Sequence, residues 1–315
     1  MPAFVADDRP LLRGLAGRGV IGAIITAIVV AGCAGTGTTP TATTAVVRQS
    51  ASPSPAAVAA PSAVPRPSAG LAPSDATSFV GAFDVGGRSL FLECRGTGSP
   101  TVIFLVGTDS PRTQMRAVAD KLLDRPVTVC DYDRAGAGQS DPAPKLQTDL
   151  DVVDDLAALL ASAKVPRPYV LVGQSVGGDQ AWLYADRHPA GVAALLIMNA
   201  GFFQLDWSTV KGVWSDDEIA AERALSEASL GVEKQAATPP GGVPYVVMMS
   251  SIAQCDSPTD VCGRIYPFFE AWGRELASRT PDGRFVEVEA QHEIFDGTLP
   301  AVMKELHLLL DKAKQ

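Results

Sequence analysis

From residue 88 onward, short unbroken apolar runs alternate with amphipathic stretches. RSLFLEC (88–94), TVIFLVG (101–107), VTVCDYD (127–133), YVLVG (169–173), AALLIMN (193–199), PYVVMMS (244–250) and RFVEVEA (284–290) read as strands. Runs of this length that are apolar on both faces suit a sheet covered on both sides. Between them the period lengthens. In LDVVDDLAALLASA (150–163), Val152, Val153, Leu156, Leu159 and Leu160 form one stripe, and Thr148 and Asp151 are spaced as a capping box. Further helical patterns follow Gln180, cover 217–229 and 268–278, and run from Pro300 to the end. Strand and helix in regular alternation predict a doubly wound parallel sheet.

The first part of the chain follows different rules. Arg9, Arg13 and Arg18 precede a 12-residue apolar run, VIGAIITAIVVA (20–31), short for a bilayer span and laid out like a secretory signal. The run ends in Val30-Ala31-Gly32-Cys33, which resembles the lipobox of bacterial lipoproteins. The resemblance implies a signal peptide over 1–32, acylation of Cys33, and a protein held at the outer face of the cytoplasmic membrane. Residues 33–75 are rich in Ala, Ser, Thr and Pro, too poor in apolar bulk to offset their ordering entropy, and read as a tether. The folded domain is expected over 76–315.

Composition narrows the possibilities. The formal charge of -9, with no basic run, argues against binding to nucleic acid, because a grip on phosphate needs clustered Lys and Arg. Of five cysteines, Cys94, Cys130, Cys255 and Cys262 remain once Cys33 is set aside, an even number for an oxidising compartment. Three pairings are possible. Cys94 with Cys130 joins two expected strands, and Cys255 with Cys262 closes a short loop. No C-x-x-C occurs, and the spacing of single cysteines is not that of a zinc site.

Gly173-Gln174-Ser175-Val176-Gly177 is a G-x-S-x-G that follows a buried strand and opens a helix, the context in which this motif presents a nucleophile. A serine needs a base, and the chain has three histidines. His188 ends the helix after Ser175, where bonding to terminal carbonyls suits it, and His307 lies inside the last helix. His292 follows the last strand on a loop and is the expected base, with serine before histidine in chain order. The Val176 N–H and the Thr108 N–H, after the strand that ends at Gly107, are the expected oxyanion donors.

With these parts in order, the chain resembles the α/β-hydrolase family over about residues 80–312. The resemblance rests on YVLVGQSVGG, VCDYDRAGAGQSD (129–141), HPAGVAALLIMN, VPYVVMM and VEVEAQHEIF. It implies an α/β-hydrolase fold with a mostly parallel eight-stranded sheet, a small cap after the sixth strand, and hydrolysis through an acyl-enzyme. Gly136 and Gly138 match the family's tight turn. The pattern departs at the acid, since Asn199 stands where an aspartate is expected after the sixth strand. After the seventh comes SSIAQCDSPTDVC, where Asp256 is the chosen acid and Asp260 lies further on; Asp206 is the fallback. Phe202, Phe203, Trp207 and Trp214 are candidates to line an acyl pocket. The expected activity is cleavage of a small-molecule or lipid ester, with no metal or cofactor needed. The alternative is a hydrolase-fold scaffold protein of the cell envelope that has lost its acid.

Overall fold

The computed structural model describes residues 78–108, 110–201, 242–251, 261–290, 292 and 294–314, with the isolated positions 208, 216 and 220. Eight strands form one sheet: β1 Phe79–Asp84, β2 Ser89–Arg95, β3 Thr101–Leu105, β4 Thr128–Tyr132, β5 Tyr169–Gln174, β6 Val192–Met198, β7 Tyr245–Ser250 and β8 Gly283–Val288. Their spatial order is β1-β2-β4-β3-β5-β6-β7-β8. β2 runs antiparallel to both of its neighbours, and all other pairs are parallel. The helices among the described residues are α1 Arg116–Leu122, entered through a 3-10 turn at Arg112–Met115, α2 Asp149–Ser162, α3 Val176–Arg187, α4 Val261–Ser278 and α5 Phe295–Lys312.

Both faces of the sheet are covered, which is why the strands read as continuous apolar runs. Along β5 the side chains alternate between two cores. Tyr169 and Leu171 join Leu156, Leu159, Leu183 and Phe269 beneath α2, α3 and α4. Val170 and Val172 join Val118, Leu122, Val302 and Leu306 beneath α1 and α5. The capping box at Thr148 forms as expected: its hydroxyl accepts from the Asp151 N–H, and Asp151 accepts from the Thr148 N–H.

The elements that the pattern leaves out are those it marks weakly. β1, FVGAFD, is an edge strand whose residues alternate between half-buried and exposed, so no continuous run announces it. α1 has only seven residues. α3 begins at Val176, not after Gln180, because Gly177 and Gly178, poor helix formers, sit in its first turn. α4 and α5 start earlier than expected and carry Pro267 and Pro300 inside.

Cys94 and Cys130 lie directly opposite each other across β2 and β4 and form a disulfide, with Cα atoms 4.1 Å apart. The expected pairing of Cys255 with Cys262 lies outside the described residues, as do residues 1–77 with Cys33 and the tether, and nearly all of the segment between Gly201 and Gly242.

Candidate active site

Ser175 stands between the end of β5 and the first residue of α3, with φ 58 and ψ -134. For a residue with a Cβ this left-handed conformation costs roughly 1–3 kcal/mol, so the surroundings must enforce it. The Ser175 N–H donates to Met198 O at 2.8 Å, and the Gly178 N–H donates to Ser175 O at 2.8 Å. Both flanking glycines are required sterically. A Cβ at Gly173 would lie 2.2 Å from Gly177 O, and one at Gly177 would lie 2.1 Å from Leu105 O. The motif therefore locks β5, α3 and the end of β3 together, with Ser175 only 6% exposed at the junction.

The loop after β3 meets the serine from the other side. A Cβ at Gly107 would fall 3.3 Å from Ser175 Cβ and 2.9 Å from Gln174 Oε1. Among the described residues, neither the Val176 N–H nor the Thr108 N–H donates a hydrogen bond, and Ser175 Oγ makes none. Both amides are thus unengaged within the described residues, Val176 following the serine in the chain and Thr108 following Gly107.

His292 comes to the same edge of the sheet. Its carbonyl accepts from Gln174 Nε2 at 3.2 Å, the residue preceding the serine, and from Asn199 Nδ2 at 2.8 Å. The ring's Nε2 is shut off from solvent, and burial lowers the imidazole pKa from the ordinary 6.5 to about 4. At neutral pH the ring is therefore a neutral base.

The geometry explains the departure at Asn199. Its Nδ2 donates to Ser250 Oγ at 2.6 Å as well as to His292 O, while its Oδ1 accepts from the Ser250 N–H at 2.8 Å. The bond to His292 O needs an N–H donor, which a carboxylate lacks, whereas the Ser250 hydroxyl can donate as well as accept. This side chain binds the ends of β6 and β7 and the histidine loop together. Asp256, Asp260 and Asp206 lie outside the described residues, as do Phe202, Phe203, Trp207 and Trp214. His307 is in α5 as expected. His188 corrects its assigned role: its backbone N–H bonds to Tyr184 O, but its ring Nε2 has no hydrogen-bond partner among the described residues. The ring instead packs 4.8 Å from that of Tyr184, centroid to centroid.

Several residues that motif reading passed over complete the surroundings. Gln174 ties the elbow to the histidine loop, and a polar residue ending the apolar run YVLVG was the signal available. Asp179, 1% exposed in the first turn of α3, accepts from the Gly201 N–H at 2.9 Å and fixes the exit from β6. Arg134, in the loop after β4, donates from Nη2 to Gly107 O at 2.6 Å. Downstream of Gly107, Arg112 pairs with Asp131 at 3.2 Å, and Arg116 grips Glu93 through both terminal nitrogens at 3.1 and 2.9 Å. The hydrogen bond from Arg116 holds the Glu93 carboxyl down at about 2, whereas burial pushes Asp131 up to about 6 against the pull of Arg116 and Arg112.

Comparison with known proteins bears on this arrangement. Residues 97–228 match the family model described as alpha/beta hydrolase fold. An uncharacterized protein of Bacillus subtilis, YbdG, is 29% identical over 125 residues, which is 38% of this chain and 38% of that protein. The match thus spans about two-fifths of that relative's length. The haloalkane dehalogenase DatA from Agrobacterium tumefaciens superposes with a TM-score of 0.55 at 12% identity, covering 75% of this chain and 97% of the other. A thermophilic esterase from Thermogutta terrifontis gives 0.52 at 18% identity, covering 76% and 100%. Relatives at this distance share the architecture and differ in reaction, so function has to be argued from the site. With the strand order, the serine on its elbow and the match over 97–228, this chain is a protein of the α/β-hydrolase fold.

Proposed function

We propose that the chain is a serine hydrolase that cleaves carboxylic esters through an acyl-enzyme. The observation that carries this reading is Ser175, a buried non-glycine residue in left-handed backbone conformation, beside two unengaged amide donors and joined through Gln174 to the loop of His292. In the proposed reaction His292 takes the Ser175 proton as Oγ bonds to the ester carbonyl carbon. The Val176 and Thr108 N–H groups receive the oxyanion. On collapse the C–O bond breaks and His292 hands the proton to the leaving alcohol, after which water, deprotonated by the same ring, releases the acid and frees Ser175. Serine–histidine contacts are often loose in a free enzyme and close on substrate binding. Asp256 is the proposed acid behind the ring, with Asp260 and Asp206 as substitutes.

Fluorophosphonate labelling of the purified protein tests the nucleophile. Wild type should label and Ser175→Ala should not; labelling that persists in the variant would remove Ser175 from the role. On p-nitrophenyl butyrate, Asp256→Asn should lower kcat by roughly 10⁴ if this carboxylate orients the ring, with Asp260→Asn as the comparison. With burial alone acting on the ring, the acid limb of kcat/KM should bend near pH 4; an ionised Asp256 behind the ring raises its pKa and moves the bend upward, so comparing the pH profiles of wild type and Asp256→Asn tests the acid.

One observation favours a second reading. Asn199 occupies an acid position and serves there as a structural amide, as in a hydrolase-fold scaffold that has given up its charge. A wild-type rate no higher than that of Ser175→Ala on esters, thioesters and amides would select this reading. The remaining proposals concern placement: acylation at Cys33 after removal of 1–32, tethering to the outer face of the cytoplasmic membrane through 33–75, and a Cys255–Cys262 disulfide. Mass spectrometry of the protein extracted from membranes, with and without Cys33→Ser, reads the lipid directly.

A further inference from the structure

Resting on the serine-hydrolase reading, we propose that Arg134 is a positioning residue for the reaction: its guanidinium sets the Gly107–Thr108 peptide so that the Thr108 N–H stands ready for the oxyanion. A trans peptide is planar, with its C=O and N–H pointing in opposite directions. Whatever fixes the Gly107 carbonyl therefore fixes the Thr108 N–H. The 2.6 Å bond from Arg134 Nη2 is the strong one at that carbonyl; the other, from the Ser110 N–H, is long at 3.4 Å. The peptide lies against the nucleophile, since a Cβ on Gly107 would reach to 3.3 Å from Ser175 Cβ. The Thr108 N–H donates to no other group among the described residues, as a donor reserved for a transient charge must.

The neighbouring arginines are engaged differently. Arg112 and Arg116 pair with the acids at hand, Glu93, Asp131 and Asp133. Arg134 has no carboxylate partner among the described residues. Its own loop is tightly held: the Ser140 hydroxyl donates to Asp133 O at 2.5 Å, the Gln139 N–H to Asp133 Oδ2 at 3.0 Å, and the Gly136 N–H to Asp141 O at 3.0 Å. A Cβ at Gly138 would strike the Asp133 carboxylate at 2.2 Å, so the loop closes down on that side chain. A cation is thereby delivered on a stiff loop to a backbone carbonyl next to the serine. A charged donor on that oxygen also draws electron density from the amide and makes its N–H a better donor.

The test compares Arg134→Met and Arg134→Lys with wild type in p-nitrophenyl butyrate turnover, thermal unfolding, and inhibition by an alkyl trifluoromethyl ketone, whose serine adduct carries an oxyanion. The matching methyl carbinol, which forms no adduct, serves as a ground-state control. Losing one oxyanion donor costs roughly 10²–10³ in kcat, and a misaimed donor should cost about 10–100-fold. Arg134→Met should lower kcat by that factor with KM within twofold, and weaken the ketone by the same factor while leaving the carbinol unchanged. Arg134→Lys should recover part of the loss. Unchanged kcat in Arg134→Met, or equal weakening of ketone and carbinol together with a lowered Tm, would overturn the proposal while leaving the hydrolase reading intact. Failure of wild type to label with fluorophosphonate or to turn over ester would overturn both.

Discussion

At the scale of single residues, Asn199 separates a missing catalytic acid from a needed amide. Its Nδ2 donates to Ser250 Oγ and to His292 O, and a carboxylate would set a negative charge against the His292 carbonyl, which can only accept. Asn199→Asp, the change that would restore the expected family residue, should therefore reduce function. A buried group left without its bonds costs roughly 1–3 kcal/mol, which for a domain of this size lowers Tm by about 2–12 °C. Thermal unfolding and ester turnover of the variant check both parts; a rise in kcat at unchanged Tm would refute them. The sequence at this position shows an amide in place of an acid and nothing of the three bonds, because their partners are 51 and 93 positions away. Ser175 was legible because its motif and the periodicity of its strand mark it locally, although the groups that hold it, Met198 O and Leu105 O, lie far along the chain.

Among elements, the packing of α3 under the end of β3 is the most constrained joint. Gly177 lets the first turn of the helix approach Leu105 O so closely that a methyl group would need the backbone to move. Gly177→Ala should cost about 1–3 kcal/mol, as overpacking does, and should reduce fluorophosphonate labelling by displacing the Val176 N–H from the serine. A variant labelled at the wild-type rate would show that the joint has slack. The same contrast accounts for which elements the pattern revealed. β3 to β7 lie inside the sheet, buried along almost their whole length, and read as apolar runs, whereas β1 lies at the edge and alternates between half-buried and exposed, and α1 is too short to display a period. The loops after β6 and β7, where the acid is sought, carry no repeating pattern, so sequence could offer Asp256, Asp260 and Asp206 without ranking them by geometry.

For the molecule as a whole, the charged cluster beneath the β3 loop gives stability a dependence on pH with a definite sign. Asp131 is 2% exposed, and burial raises its pKa to about 6 in the fold from 3.8. Between these values the folded state holds a proton that the unfolded state releases. This contribution is full below pH 3.8 and is lost as pH rises through 6. From pH 7 to pH 5 the group should return roughly 1 kcal/mol. Asp131→Asn removes that response, so its Tm relative to wild type should be more favourable at pH 7 than at pH 5. A difference independent of pH would show that Asp131 is ionised in the fold throughout. Glu93 acts in the other direction: its carboxyl, lowered to about 2, loses its contribution only as the medium becomes strongly acid.

β5 pairs along its length with β3 on one side and β6 on the other. Its amide hydrogens have no edge from which to reach solvent, so they should exchange with deuterium only when the entire sheet opens. The strand that carries the serine would then be among the last parts of the chain to take up label.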